Sequence, residues 1–202
     1  MYQRRNELVF GFHGCDKEVC DKIIQSNQVQ LRPSVNEYDW LGHGMYFWEY
    51  NEQRALEWAR NAKAHPNNKE QKIHEPAVLG AVICLGECLD FLESSNLMLL
   101  KTAHAIFMEN ASKQNLPIPE NKCNGLVRYL DCAVIETLIK LKEEQTKKHY
   151  YDSVRGVFFE GDSLYPTAGF REKNHIQICI RNPNCIKAYF LPRIDVDSYP
   201  PV

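Results

Sequence analysis

The chain has 202 residues, 44% of them hydrophobic, and a formal net charge of −2 from 24 basic and 26 acidic side chains. That apolar share suffices for one globular domain with a sizeable core spanning residues 1–202, and the charge balance leaves at most a local patch for nucleic acid. No apolar run approaches the roughly 20 residues of a membrane span, and Met1-Tyr2-Gln3-Arg4-Arg5-Asn6-Glu7 lacks the apolar stretch of a signal peptide, so no membrane and a cytoplasmic location are expected.

The chain opens with a short strand, Leu8 to Phe12, running into a turn at His13-Gly14. A helix follows, capped by Asp16, with Val19, Ile23 and Ile24 on its inner face. Residues 31–42 read as a loop. The stretch "WLGHGMYFWE" (40–49) then crowds two glycines, a histidine and four aromatics into ten residues. A tight turn leading into the strand Met45 to Trp48 accounts for that combination. Asn51 is a good N-cap for a helix to about Lys63, with Ala55, Leu56 and Ala59 inward. Residues 64–76 form a polar connector, and Ala77 to Leu85 is a β-branched run suited to a central strand.

Next comes a helical segment at about 93–148. It holds one helix near 95–111, a proline-bearing loop, and a second helix from Leu130 to Lys147 with Val134, Ile135, Leu138, Ile139 and Leu141 inward. Its lysine-rich end suits the helix dipole and solvent. Three strands close the chain: "SVRGVFFEG", "HIQICIRN" and "CIKAYFL". In the second, Ile176, Ile178 and Ile180 alternate with His175, Gln177, Cys179 and Arg181, which sorts apolar and polar groups onto opposite faces. The expected fold class is α+β, with a split, mostly antiparallel sheet and flanking helices.

Eight cysteines contain no Cys-x-x-Cys pair and sit mostly in apolar company, as in Val82-Ile83-Cys84-Leu85. They are expected to be reduced core residues, with no disulfide framework and no metal site.

Three stretches carry a resemblance when taken together: "FHGC" (12–15), "GHGMYFWE" (42–49) and "HIQICIRNPNCI" (175–186). In this order and spacing they resemble the ADP-ribosyltransferase superfamily, on its poly(ADP-ribose) polymerase and diphtheria-toxin side. The family reads as a strand ending in His-Gly, then Gly-x-Gly-x-Tyr-Phe and a helix, then a strand ending in Leu-Gly-Glu, here "VICLGECLDF". Its last motif usually opens with glutamate. Pro183 and Ile186 align with that last motif and place Gln177 where the glutamate is expected. The match covers about the first 90 and the last 50 residues and leaves the helical segment unaligned.

The resemblance implies NAD as co-substrate and no metal. It implies catalytic roles for His13, Tyr46 and Gln177, and NAD contacts from His13, Gly14, Gly44 and Tyr46. Tyr46 would stack on nicotinamide, with Trp58, or Tyr50 in reserve, closing the other face. Glycines at such a turn let a ligand approach the backbone closely. Trp40, Phe47 and Trp48 are expected to pack, and His43 and His175 to lie behind the site or at the surface. A glutamine in the glutamate's place keeps a hydrogen bond but loses charge and proton-accepting ability. The acidic candidates on the acceptor side are then Glu160, Asp162 and Glu172, in the loop before the Gln177 strand. The reaction implied is transfer of a single ADP-ribose to a macromolecule, protein or nucleic acid. A stand-alone chain of this kind resembles bacterial toxins, effectors and phage-defence enzymes, and a toxin would have a neutralising antitoxin protein. The rival readings are an NAD glycohydrolase and a catalytically silent module that binds NAD or ADP-ribose.

Overall fold

A computed structural model describes residues 4–66, 72–194 and 198. In chain order the elements are β1 (Arg4–Asp16), α1 (Lys17–Gln25), β2 (Met45–Glu49), α2 (Glu52–Ala64), β3 (Pro76–Asp90), α3 (Ser94–Lys113), β4 (Asn121–Lys122), β5 (Val127–Arg128), α4 (Tyr129–Thr146), β6 (Ser153–Phe158), β7 (His175–Ile180) and β8 (Ile186–Phe190). Six strands form one sheet in the order β1-β2-β7-β6-β3-β8, with β1 also paired to β3. Only β3 and β6 run parallel. The fold is therefore α+β with a mixed, mostly antiparallel sheet.

Strand β3 makes this arrangement possible because it is 15 residues long. Residues Pro76 to Glu87 pair with β1 on one side, Gly80 to Ile83 pair with β8 on the other, and the last three residues, Cys88 to Asp90, pair with β6. Near the end of the β1 pairing, opposite Arg5, lies Gly86 at φ +62°, where a Cβ would collide with Asp152. Few other residues tolerate that left-handed backbone.

The β1–β2 pairing is limited to Gly11 with Glu49 and Phe12 with Trp48. Past Phe12, β1 continues alongside β3 to Asp16, opposite Pro76. Strand β2 instead follows β7, from Trp48 opposite Gln177 to Met45 opposite Ile180. The sheet thus parts at His13.

Both sheet faces are covered. On one, Phe47, Leu79, Ala81, Ile83, Ile178 and Ile180 pack with Cys20 and Ile23 of α1. Val19 and Ile24, expected inward on α1, are exposed, and Cys20 takes that place. The other face divides. Ala55 of α2 packs on Trp48 and Val78, while Ala103 of α3 and Val134, Ile135, Leu138 and Ile139 of α4 cover Val154, Phe158 and Cys179. Each fully buried aliphatic side chain here contributes about 1.5–3 kcal/mol. The helical segment is therefore one wall of the core. Glu136 of α4 also accepts from Arg181 Nη1 at 2.6 Å and from the backbone N–H of His43 at 2.7 Å, which ties this wall to the turn before β2.

The caps follow the sequence: Asp16 accepts from Glu18 N–H and Asn51 from Arg54 N–H. Residues 67–71 of the polar connector lie outside the described residues. No disulfide joins the eight cysteines, and six of them are buried. Cys15 and Cys20 face each other with sulfurs 3.4 Å apart. Among the described residues, no helix is long and apolar enough to cross a membrane.

Candidate functional site

The turn before β2 explains its own composition. Tyr46 donates its hydroxyl to Gly42 O at 2.6 Å and accepts from Leu41 N–H at 2.8 Å, which staples the turn. Gly42 adopts φ +76°, and a Cβ there would run into Glu136. At Gly44 a Cβ would stand 2.6 Å from Cys179 Sγ. The glycines thus allow the turn to lie against α4 and β7. Gly14 has a related reason, since a Cβ there would collide with the carbonyl of Ala55, so its absence lets α2 rest on β1. Burial holds the Tyr46 phenol well above its ordinary pKa, so it stays a neutral hydrogen-bonding group.

His13 sits where the sheet parts. Its ring Nδ1 donates to Tyr46 O at 2.7 Å, and the ring lies 5.8 Å from that of Phe47. Because a carbonyl can only accept, Nδ1 carries the proton. Burial lowers the His13 pKa, against a smaller opposing effect of that hydrogen bond.

Register assigns the remaining residues. Directly opposed residues of antiparallel strands share a face. Trp48 opposes both Phe12 and Gln177, Gln177 opposes Gly156, and Tyr46 opposes Cys179. Tyr46, Trp48, His175 and Gln177 therefore lie on one face. His13, opposite Leu79, falls on the other, and its bond to the Tyr46 carbonyl crosses the parting.

Gln177 is only 8% exposed, and its amide nitrogen lies 3.1 Å from His175 Nε2. Aromatic rings surround His175: Trp40 at 6.3 Å and nearly parallel, Phe158 at 5.8 Å and Trp48 at 6.4 Å. Trp48 is buried, and among the described residues its indole Nε1 has no partner. Arg128, from the small β4–β5 hairpin, stacks over Trp40 at 4.6 Å and Phe158 at 4.8 Å.

The two candidates for a second stacking ring, Trp58 and Tyr50, are both exposed. Trp58 packs on Trp48 at 5.9 Å, while Tyr50 meets Phe10 edge-on at 5.9 Å. Of the acidic candidates, Glu160 reaches the site. It accepts from Arg54 at 2.9 Å and lies 3.6 Å from His175 Nδ1. Asp162 and Glu172 bond each other across the loop, through Glu172 N–H to Asp162 O at 3.1 Å and Asp162 N–H to Glu172 Oε2 at 3.3 Å. Among the described residues no cluster of three or more histidine, cysteine or acidic side chains is placed to hold a metal.

Sequence reading passed over Trp48, Arg54 and Arg128 as site residues. The first two carried usable signals: Trp48 alternates with Tyr46 along one strand, and Arg54 precedes Trp58 by one helical turn. Arg128 had none, because only the hairpin's long-range packing brings it in.

The chain is similar to the uncharacterized protein MJ0359 of Methanocaldococcus jannaschii, with 29% identity over 197 residues that cover 87% of this chain and 83% of that one. No family model and no solved structure matches it.

Proposed function

We propose that the chain is a mono-ADP-ribosyltransferase that cleaves NAD and passes one ADP-ribose to a macromolecular acceptor. The observation that carries this reading is the parting of β1 from β2 at His13, with Tyr46 on β2 and Gln177 on the next strand, β7. A folded dinucleotide lying across this parting would meet His13 on one sheet face and Tyr46, Trp48 and Gln177 on the other. The buried, unpaired indole N–H of Trp48 and the Gln177 amide across from it suit a polar ligand, because buried polar atoms without partners are costly.

In the reaction, the bond between nicotinamide nitrogen and ribose C1′ breaks and nicotinamide leaves with the electron pair. The ribose develops oxocarbenium character, and the acceptor's nucleophile forms the new bond to C1′. Gln177 can accept from a ribose hydroxyl but contributes no negative charge. The acceptor's proton needs a base, and Glu160 is the carboxylate nearest to Gln177's partner His175. The exposed Phe159, Leu164, Tyr165 and Phe170 of the 159–174 loop give an acceptor apolar surface to meet. Protein and nucleic acid both remain open as acceptor classes. A role as a cytoplasmic toxin or defence enzyme, with a neutralising antitoxin, belongs to this reading and rests on the resemblance.

The neutral Gln177 favours two further readings: a glycohydrolase, with water in the acceptor's place, or a silent NAD-binding module. Incubation with adenine-labelled NAD and lysate, followed by separate protease and nuclease treatment, distinguishes all three. Label that depends on His13 and Tyr46 supports the transferase, and the treatment that removes it names the acceptor class. Nicotinamide release without label supports the glycohydrolase. NAD binding with neither supports the module.

A further inference from the structure

The contact between His175 and Gln177 determines which way the Gln177 amide points. His175 Nδ1 lies 2.7 Å from Lys173 O, and a carbonyl only accepts, so Nδ1 bears a proton. A neutral imidazole has one N–H. Nε2 is therefore an acceptor, and the Gln177 amide nitrogen, 3.1 Å away, donates to it. The opposite amide orientation would place the Gln177 carbonyl on Nε2 and require protons on both ring nitrogens.

The surroundings disfavour that cation. The ring is buried, and Trp40, Trp48 and Phe158 surround it. Burial is the largest influence on its pKa and lowers it. Glu160, from the loop after β6, pulls the other way from 3.6 Å, but Arg54 of α2 already pairs with it at 2.9 Å. The positive charges of Arg54 and of Arg128 on β5 oppose protonation too. Trp48, directly across from Gln177, adds a buried N–H without a partner. A ribose hydroxyl is both donor and acceptor, and could meet both groups.

We propose that His175 is a positioning residue that holds the Gln177 amide with its carbonyl oxygen turned toward the ligand. Protonation of His175 then reverses the amide, and the ligand meets N–H donors in place of the acceptor. This rests on the reading of Gln177 as a ligand-facing residue of an NAD site.

Two measurements test it and separate its failure from that of the NAD reading. The first uses no NAD. The side-chain amide resonances of Gln177 are followed from pH 8 to pH 5 in ¹⁵N-labelled protein and assigned by their loss in Gln177→Glu. They are expected to shift with the same midpoint as the His175 ring, and to lose that dependence in His175→Phe. Amide signals that ignore the His175 titration would overturn the proposal. The second is nicotinamide release from NAD against pH. Wild type is expected to lose activity on the acid side with that midpoint, and His175→Phe to lower kcat/KM about tenfold. His175→Gln, which offers an acceptor but cannot titrate in this range, is expected to recover most of that loss without the acid limb. Full activity in His175→Phe, or an acid limb that survives in His175→Gln, would overturn it. Coupled titration in a wild-type protein that neither binds nor cleaves NAD would support the His175–Gln177 coupling and overturn the NAD reading.

Discussion

His13 and Tyr46 are joined across the parting of two strands: the His13 ring donates from Nδ1 to the main-chain carbonyl of Tyr46 at 2.7 Å. Beyond that bond, β1 and β2 follow different neighbours. A side chain thus takes over where the backbone ladder stops.

Replacing His13 by Ala leaves the Tyr46 carbonyl without this donor and opens the parting. Unfolding free energy is expected to fall by about 1–2 kcal/mol, read by urea denaturation. Nicotinamide release is expected to fall at least about tenfold, the scale of a lost active-site hydrogen bond. A His13→Ala protein with wild-type NAD turnover would refute the proposed site.

Tyr46→Phe separates the ring from the hydroxyl. The variant keeps any stacking surface but abandons Gly42 O and Leu41 N–H, at a cost of about 1–3 kcal/mol in stability. NAD affinity, followed by tryptophan fluorescence, is expected to weaken far less than in Tyr46→Ala. Equal losses in the two variants would mean that the staple, not the ring, matters to the ligand.

Arg155 is buried and pairs with Glu49 through Nε at 2.5 Å and with Asp90 at 3.0 Å. Those acids end β2 and β3, so one guanidinium within β6 ties two strand ends to it. Arg155→Met leaves two carboxylates in a largely desolvated place and is expected to destabilise by about 3–5 kcal/mol. Adding Glu49→Gln should return part of that loss. A double-mutant cycle by denaturant titration measures the coupling, and strict additivity would contradict it.

Acid should destabilise the protein before its carboxylates titrate. His13 and His175 have lowered pKa values when folded, with burial the leading cause, whereas unfolded histidine titrates near pH 6.5 at about its model value. Below that pH the unfolded chain binds protons that the folded chain refuses, so stability rises with pH through this window and falls as pH drops. Each histidine adds to the slope only between its folded and its unfolded pKa, and about 1.4 kcal/mol per pH unit is the upper limit for each. Asp39, whose carboxyl is raised by burial, works in the opposite direction lower down. Denaturation midpoints at half-unit pH steps test this, and His175→Gln is expected to reduce the slope.

Much of the architecture was legible in the sequence because it is local. The caps at Asp16 and Asn51, the inward Ala55 and Ala59 of α2, and the buried run Val134, Ile135, Leu138 and Ile139 all follow from capping chemistry and helical period. The pattern misled where burial ran against polarity. Alternation along β7 suggests one wet face, yet His175, Gln177 and Cys179 are all buried there. On α1, Cys20 and not Val19 faces the core, because the helix's orientation is set by what β3 and β8 present to it.

The sequence by itself determined the main helices, the order of the longer strands and the places of Tyr46 and Gln177 on two of them, since period and turn chemistry act over a few residues; it put a turn at His13-Gly14, where β1 runs on to Asp16, and a loop where β4 and β5 pair. Only the tertiary structure decided the company those residues keep. It put His13 on the opposite face from Gln177, moved Trp58 onto Trp48, brought Arg128 in from the helical segment, and drew Glu160 but neither Asp162 nor Glu172 to His175. Those placements depend on strand register and on side chains far apart in the chain, 106 residues for Arg54 and Glu160. Pairings at that range are fixed by the packing of the whole core and leave no local pattern to read.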